Sequence, residues 1–210
     1  FDIYFQPYLG GDRPDIILLN KEAGVLIFEV KDWDLNSYTI IEGGEWVLKK
    51  NGAKIKSPFQ QINKYRINMI QLHIEGLLES IIKDKKYYTL VNSCLVFSNS
   101  TDAEIYSTIE RLKESQSGEK DISLDYLQYL GKDSLHNDSA LRIILENTRL
   151  DKKSFLLKPE FVKNIKRVLK PPIHDLEDGL DIKYTSAQQI LIDSNQNTRQ
   201  KIKGVAGSGK

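Results

Sequence analysis

The 210-residue chain is long enough for one domain of good size with an appendage, or for two small domains. Its 40% hydrophobic and 28% charged residues exclude a disordered chain, and no apolar run reaches the roughly 18 residues that a membrane span needs. The formal net charge of +1 gives no overall attraction to a polyanion, so a nucleic-acid surface would require local clustering of basic residues.

Two β-rich apolar runs come first in the chain. Residues 13–20 and 24–31 are separated by a turn-like stretch and predict an antiparallel hairpin. Apolar residues occupy consecutive positions in both runs, which is typical of strands covered on both faces. The hairpin is therefore expected at the centre of a sheet.

The later elements alternate between strands and helices. Residues 37–56 predict a second hairpin, the apolar spacing from Pro58 to Ile81 predicts a helix, and residues 90–97 predict a buried strand. An amphipathic helix follows over residues 102–114, then a weaker strand near residues 126–130, and residues 139–170 have a helical pattern. The order predicts an α/β domain over residues 1–138, a helical connector and linker over 139–180, and a further segment over 181–210.

Cys94 lies inside the buried run of residues 90–97. As the only cysteine, it excludes an intramolecular disulfide, and a small buried residue is its expected role rather than a reactive thiol. A reducing, cytoplasmic setting fits this cysteine content.

The first hairpin carries two carboxylates at matching positions. If its turn centres on Glu22, Asp15 lies opposite Glu29, and cross-strand Cβ atoms are roughly 5 Å apart. Like charges repel there and burial is costly, and a bound Mg²⁺ would offset both penalties. Lys31 lies two residues beyond Glu29, so its ammonium is expected on the same face, where it can hold a water or neutralise a phosphate. The alternative is a set of ordinary charges at strand ends.

The predicted helix adds a polar pair. Gln61 and Tyr65 are four residues apart, so both project from one helix face and can bind a water or a phosphate near the metal. Residues at this spacing also occur as plain surface residues.

Three segments in this order carry a family resemblance. Arg13-Pro14-Asp15, Phe28-Glu29-Val30-Lys31, and Pro58 with Gln61 and Tyr65 resemble the NERD (nuclease-related) domain of the PD-(D/E)XK nuclease superfamily over roughly residues 1–135. The resemblance implies a restriction-endonuclease-like mixed sheet flanked by helices, with a helical C-terminal extension in this chain.

The resemblance also implies roles for individual residues. Asp15 and Glu29 would bind Mg²⁺ or Mn²⁺, with the Val30 carbonyl as a third ligand, and Lys31 would be the catalytic lysine. Gln61 would position water or phosphate, and Tyr65 would contact the nucleic acid. Many relatives add a carboxylate from a helix before the first strand, and Asp2 and Asp12 are poor substitutes for it.

The last seven residues form a glycine-rich motif. Gly204, Gly207, Gly209 and Lys210 fit the G-x-x-x-x-G-K pattern of a Walker A loop, whose backbone amides cradle phosphates. Together with Gln188 the segment resembles the opening of a UvrD-like superfamily 1 helicase, in which a glutamine at this position reads adenine. A flexible glycine-rich tail is the alternative. The chain lacks an initiator Met and stops inside the motif, so we expect a piece of a longer protein in which ATP would be bound.

Basic residues concentrate near the end of the helical pattern. From Arg149 to Lys170 there are eight Lys and Arg residues, and on a helix Lys163, Lys166, Arg167 and Lys170 would face outward. A solvated basic face is one interpretation, and a contact with the DNA backbone is the other.

These observations lead to a main hypothesis and two alternatives. The main hypothesis is a Mg²⁺-dependent DNA nuclease module joined in cis to a helicase, with no membrane contact and an oligomeric state that the sequence leaves open. One alternative is a non-catalytic DNA-binding or docking module with a nuclease fold. In the other, the motor is the only functional part and the nuclease-like region is structural.

Overall fold

The computed structural model describes residues 1–115, 126–169 and 189–190. The strands are β1 (Asp2–Phe5), β2 (Ile16–Asn20), β3 (Gly24–Lys31), β4 (Tyr38–Ile40), β5 (Trp46–Leu48), β6 (Lys54–Ile55), β7 (Val91–Phe97) and β8 (Leu127–Leu130). The α-helices are α1 (Pro58–Asn68), α2 (Leu77–Lys83), α3 (Asp102–Ser115), α4 (Asp138–Asn147) and α5 (Pro159–Leu169). Within this part of the chain, every helix is too short or too polar to cross a bilayer.

A five-stranded mixed sheet forms the centre of the fold, in the order β1-β2-β3-β7-β8. The β1–β2 and β2–β3 pairs are antiparallel, whereas β3–β7 and β7–β8 are parallel. The predicted hairpin is therefore confirmed, and β3 is the central strand. A separate three-stranded sheet of β4, β5 and β6 follows β3 in the chain.

Period-2 alternation sorts the side chains of β3 onto two faces. Val25 and Ile27 are fully buried in a cluster that includes residues of α1, α2 and α5. Leu26 packs on the opposite face, in a cluster with Ile144 of α4. Glu29 continues the Val25 and Ile27 face, so its side chain points toward the layer that contains α1.

Helices cover both faces of the sheet. The face of Val25 and Ile27 packs against α1, α2 and α5, and α3 extends the same layer through Ile105, Ile109 and Leu112. The other face packs against α4, and Cys94 is fully buried there. The expected mixed sheet flanked by helices, consistent with a nuclease fold, is confirmed.

Two predicted helices are interrupted. The helix expected from Pro58 to Ile81 gives way to a π-helical turn at Met69–His73, and α2 begins after Gly76, whose φ of 78° suits glycine. The helical pattern over residues 139–170 divides into α4 and α5, because Arg149 adopts a φ of 57° after α4 and Pro159 begins α5. Neither β1 nor β6 was predicted.

The backbone contacts divide the chain into two compact units, Phe1–Pro171 and Pro172–Lys210. Both α4 and α5 belong to the first unit, in which Ile144, Phe161 and Ile165 are buried. In the second unit the structure describes Gln189 and Ile190, which are helical and exposed.

Candidate active site

The carboxylates of the first hairpin meet where β2 begins. Ile16 pairs with Phe28, so the next position in this register places Asp15 beside Glu29. Oδ2 of Asp15 accepts a 2.8 Å hydrogen bond from the backbone N–H of Val30. The predicted cross-strand pairing is thus present, and the side chain of Asp15 is tied to the strand that carries Glu29.

Glu29 is a buried carboxylate, with 3% of its surface exposed. Its Oε1 accepts from the ammonium of Lys31 and from Nε2 of Gln61, each over 2.6 Å. Its Oε2 is buried and has no hydrogen-bond partner among the described residues. One oxygen therefore accepts two hydrogen bonds, and the other is buried with no donor in the part of the chain that the structure describes.

The charges around Glu29 act in opposite directions. Burial raises the pKa of the Glu29 carboxyl, the hydrogen bond and charge of Lys31 lower it, and the charge of Asp15 raises it again. The net direction is upward. A further cation at this position would favour the ionised form and would relieve the repulsion from Asp15.

Helix α1 brings the amide and the phenol to the hairpin. Ser57 caps its N-terminus, where Oγ accepts from the N–H of Gln60, and Pro58 is the first helical residue. Gln61 uses its two amide hydrogens to contact Glu29 and, over 2.7 Å, the hydroxyl of Tyr65. Tyr65 is buried, and burial is the main cause that raises the pKa of its phenol.

Asp12, named from the sequence only as a poor substitute for an upstream carboxylate, is a second buried acid beside α1. Its two oxygens accept from Lys64 over 2.6 Å and from Asn68 over 2.5 Å. Lys64 and Asn68 follow Gln61 at three and seven residues, so one face of α1 serves both acids. Both carboxylate oxygens of Asp12 accept hydrogen bonds, whereas only one oxygen of Glu29 does so among the described residues. Its charge could be read from the sequence, but its burial depends on the position of α1.

The carboxylate oxygens of Glu29 and Asp15 are ligands that suit a hard divalent cation. Mg²⁺ is commonly held by one or two carboxylates, with waters and a phosphate oxygen completing the shell. The unpartnered Oε2 of Glu29 and the half-buried Asp15 supply that number. No cluster of three or more His, Cys, Asp or Glu side chains suited to a metal occurs among residues 1–115, 126–169 and 189–190.

The basic residues of α5 are separate from this constellation. Lys163 is exposed, and Lys166 lies 3.6 Å from the carboxylate of Asp2. Arg167, expected to face outward, is instead half-buried with a buried Nε, and burial lowers the pKa of its guanidinium against the opposing charge of Glu75. Lys170 lies outside the described residues, as do Gln188, Gly204, Gly207, Gly209 and Lys210 of the predicted nucleotide site.

The structure therefore brings five of the predicted residues together: Asp15, Glu29, Lys31, Gln61 and Tyr65. All five lie within the first 98 residues of the chain. Residues 1–98 match the family model NERD, the nuclease-related domain. The NERD segment also contains β1 to β7 and Asp12. No curated protein and no solved structure matches the chain.

The NERD match suggests a nuclease-related function, and the geometry describes what such a site can do. A carboxylate pair can hold a cation, an ammonium beside it can stabilise negative charge, and an amide can fix the orientation of a carboxylate. Metal-dependent hydrolysis of a phosphodiester can use all three.

Proposed function

We propose that this chain hydrolyses the phosphodiester bonds of DNA with a bound Mg²⁺ or Mn²⁺ ion. The observation that carries the proposal is the buried Glu29, whose Oε2 lacks a partner among the described residues while Asp15 lies beside it. The NERD match supports a nucleic-acid substrate.

Three groups of the hairpin would hold the metal: the carboxylates of Asp15 and Glu29 and the carbonyl of Val30. The N–H and C=O of a strand residue point to the same side, and the N–H of Val30 points to Asp15. The carbonyl of Val30 is therefore directed to the Asp15 side of β3. A divalent ion bound there supplies Lewis acidity and a water of lowered pKa.

The side chains of the chain itself would orient and stabilise the reacting groups. Lys31, 2.6 Å from Glu29 Oε1, is placed to neutralise the charge that develops on a phosphate. Gln61 fixes the orientation of Glu29 through its amide, and Tyr65 holds the amide in turn. The phenol hydrogen of Tyr65 stays available for a water or a phosphate oxygen.

Cleavage of a labelled DNA by matched carboxamide variants tests this proposal. Asp15→Asn and Glu29→Gln keep the shape of the side chains and remove the charge, and we expect each to lower the rate by about 100-fold or more. Asp32→Asn is the control, because Asp32 is an exposed carboxylate next to Lys31. Full cleavage by both site variants, or equal cleavage in EDTA, would overturn the proposal.

A non-catalytic nucleic-acid-binding module is the second candidate function. Two contacts favour it: Glu29 forms an ion pair with Lys31 that needs no metal, and Asp15 already accepts from the Val30 amide. This candidate predicts DNA binding with no turnover in Mg²⁺ or Mn²⁺ and no effect of these ions on the affinity.

The proposal extends to a helicase in cis, as an ATP-dependent motor that would feed DNA to the nuclease module. Support comes from the G-x-x-x-x-G-K pattern of residues 204–210 and from Gln188. ATP would be bound by the protein only when the complete loop and the rest of the motor are present. ATPase activity of the longer protein, abolished by Lys210→Ala, is the corresponding measurement.

A further inference from the structure

A polar groove lies at the end of the sheet opposite the candidate active site. Two adjoining depressions of about 550 and 610 Å³ share Lys86, Thr89, Thr148 and Arg149 in their walls. Ala23, which precedes β3, is also part of the wall, whereas Lys31 ends β3 in the candidate site. At about 3.3 Å per residue, Ala23 and Glu29 are roughly 20 Å apart along β3.

Positive charge dominates this groove. Five cations line it and define what we name the basic groove: Lys85, Lys86, Arg149, Lys152 and Lys153. Among the described lining residues Glu146 is the only carboxylate. Lys152 lies 3.9 Å from Asp151, and the other four cations form no ion pair within the described part of the chain. Cations gathered in one concave surface repel each other, so the groove favours an anion.

Arg149 also has an unusual backbone conformation. Arg149 has a φ of 57°, a left-handed conformation that glycine adopts readily and that other residues adopt at a cost. It follows the C-terminal end of α4, where its N–H donates to the carbonyl of Glu146. A strained position therefore carries a cation that lines both depressions.

An exposed aromatic ring adjoins the cations. Phe155 lines the second depression and is 94% exposed. The other aromatic residue of the groove, Tyr126, is already covered by the guanidinium of Arg66, 4.2 Å from its ring centroid. Cations that track a phosphate backbone, together with a free ring on which a base stacks, are the combination that binds unpaired strands.

We propose that the basic groove binds single-stranded nucleic acid, with backbone phosphates on Lys85, Lys86, Arg149 and Lys153 and a base stacked on Phe155. This inference rests on the proposed function, which supplies nucleic acid as the ligand. What it adds is that the bound nucleic acid is single-stranded. A strand held there is anchored away from the site of cleavage. A duplex offers its phosphates to the cations but no free base face to the ring.

Anisotropy of a fluorescent oligothymidylate in EDTA tests the cations without cleavage. Lys86→Glu with Arg149→Glu, and independently Lys85→Glu with Lys153→Glu, should each weaken binding by tenfold or more. Each pair should also reduce the slope of log affinity against log salt by about 1.4, which corresponds to two lost phosphate contacts. The second pair leaves the end of α4 unchanged and so remains informative if Arg149→Glu lowers the melting temperature.

The control pair, Lys50→Glu with Lys132→Glu, changes the net charge equally at exposed positions outside the groove. Binding that falls equally in the control and groove pairs, or in none, would overturn the proposal. Displacement of the oligonucleotide by polyglutamate, added at the same concentration of negative charges, would also overturn the proposal. The groove would then accept an acidic protein segment.

Phe155→Ala separates single strands from duplex. We expect the affinity for the oligothymidylate to fall by about fivefold or more and the affinity for a duplex of equal length to stay unchanged. An equal loss for both, or for neither, would contradict the role of the ring.

Hydrolysis of bis(p-nitrophenyl) phosphate in Mn²⁺ distinguishes this inference from the proposed function. The groove variants should retain wild-type rates, since the groove is roughly 20 Å from the candidate site. Absence of this hydrolysis in the wild type would count against the proposed function alone, whereas loss of it in the groove variants only would overturn the separation of the two sites.

Discussion

Gln61 on α1 donates a 2.6 Å hydrogen bond to Oε1 of Glu29 on β3, the same oxygen that accepts from Lys31. Two donors thus converge on one oxygen of a buried carboxylate and leave the other oxygen without a donor among the described residues. This asymmetry orients the carboxylate, because Oε1 cannot turn away without losing both bonds.

Gln61→Ala should lower the rate of DNA cleavage by roughly 10- to 100-fold, the usual effect of removing a group that orients a metal ligand. The loss should be in kcat and in the affinity for Mn²⁺, with little change in the affinity for DNA. Steady-state kinetics and Mn²⁺ titration measure the two effects. Gln60→Ala is the control, because Gln60 is the exposed neighbour of Gln61. A change confined to KM would contradict the orienting role.

Lys31→Met should reduce kcat by about 100-fold or more, because the ammonium that stabilises developing charge is removed while the aliphatic chain is kept. Mn²⁺ binding should survive, since no metal ligand is lost and a competing cation leaves Glu29. Single-turnover cleavage and Mn²⁺ titration at equal enzyme concentration provide the comparison. Loss of Mn²⁺ binding with Lys31→Met would show that the lysine maintains the site rather than acting in the reaction.

Gly24→Ala should destabilise the fold by about 3 kcal/mol, from overpacking and backbone strain together. Gly24 has a φ of 149°, and a Cβ there would lie 2.5 Å from the carbonyl oxygen of Leu90. Gly43→Ala is the matched control, with a φ of 81° and no atom within 4 Å of the added carbon, and should cost about 1 kcal/mol. Chemical denaturation measures both, and equal losses would refute the close approach of β3 to the turn before β7.

His73 should make stability depend on pH. Burial lowers the pKa of His73 from 6.5, opposed by the charge of Asp12 and a hydrogen bond with the Leu9 backbone, and the charge of Arg167 adds to the lowering. The unfolded chain therefore binds the proton more readily, so His73 contributes stability above pH 6.5 that is lost as the pH falls toward the folded pKa. In His73→Gln this component is absent. The difference in unfolding free energy between wild type and variant, measured by chemical denaturation, should shrink on acidification. A difference that stays constant with pH would contradict this role of His73.

The part of the site that lies on the hairpin could be predicted because burial determines its register. A slip of one residue would turn Ile17 and Leu19, both fully buried, away from the core, so the pairing of Ile16 with Phe28 is strongly favoured. Asp15 and Glu29 then meet by alternation alone. The helical spacing of Gln61 and Tyr65 follows from the same kind of local periodicity.

The remaining features depend on how distant elements pack. The choice of Glu29 Oε1 over Oε2, and the burial of Asp12 against Lys64, follow from where α1 lies on the sheet. Strand β1 gave no burial signal, because Ile3 and Phe5 are exposed on an edge strand. The basic groove joins residues before β7 to residues after α4, which are far apart in the chain. The predicted boundaries at residues 138 and 180, and the nucleotide site at the C-terminal end, stay predictions.

The most direct measurement of the central claim is the anomalous scattering of Mn²⁺ soaked into crystals of the wild-type chain. We expect one strong peak in contact with the carboxylates of Asp15 and Glu29, and no such peak in crystals of Glu29→Gln. A wild-type crystal with Mn²⁺ bound elsewhere, and with Lys31 still paired to Glu29 and no metal between the two carboxylates, would contradict it.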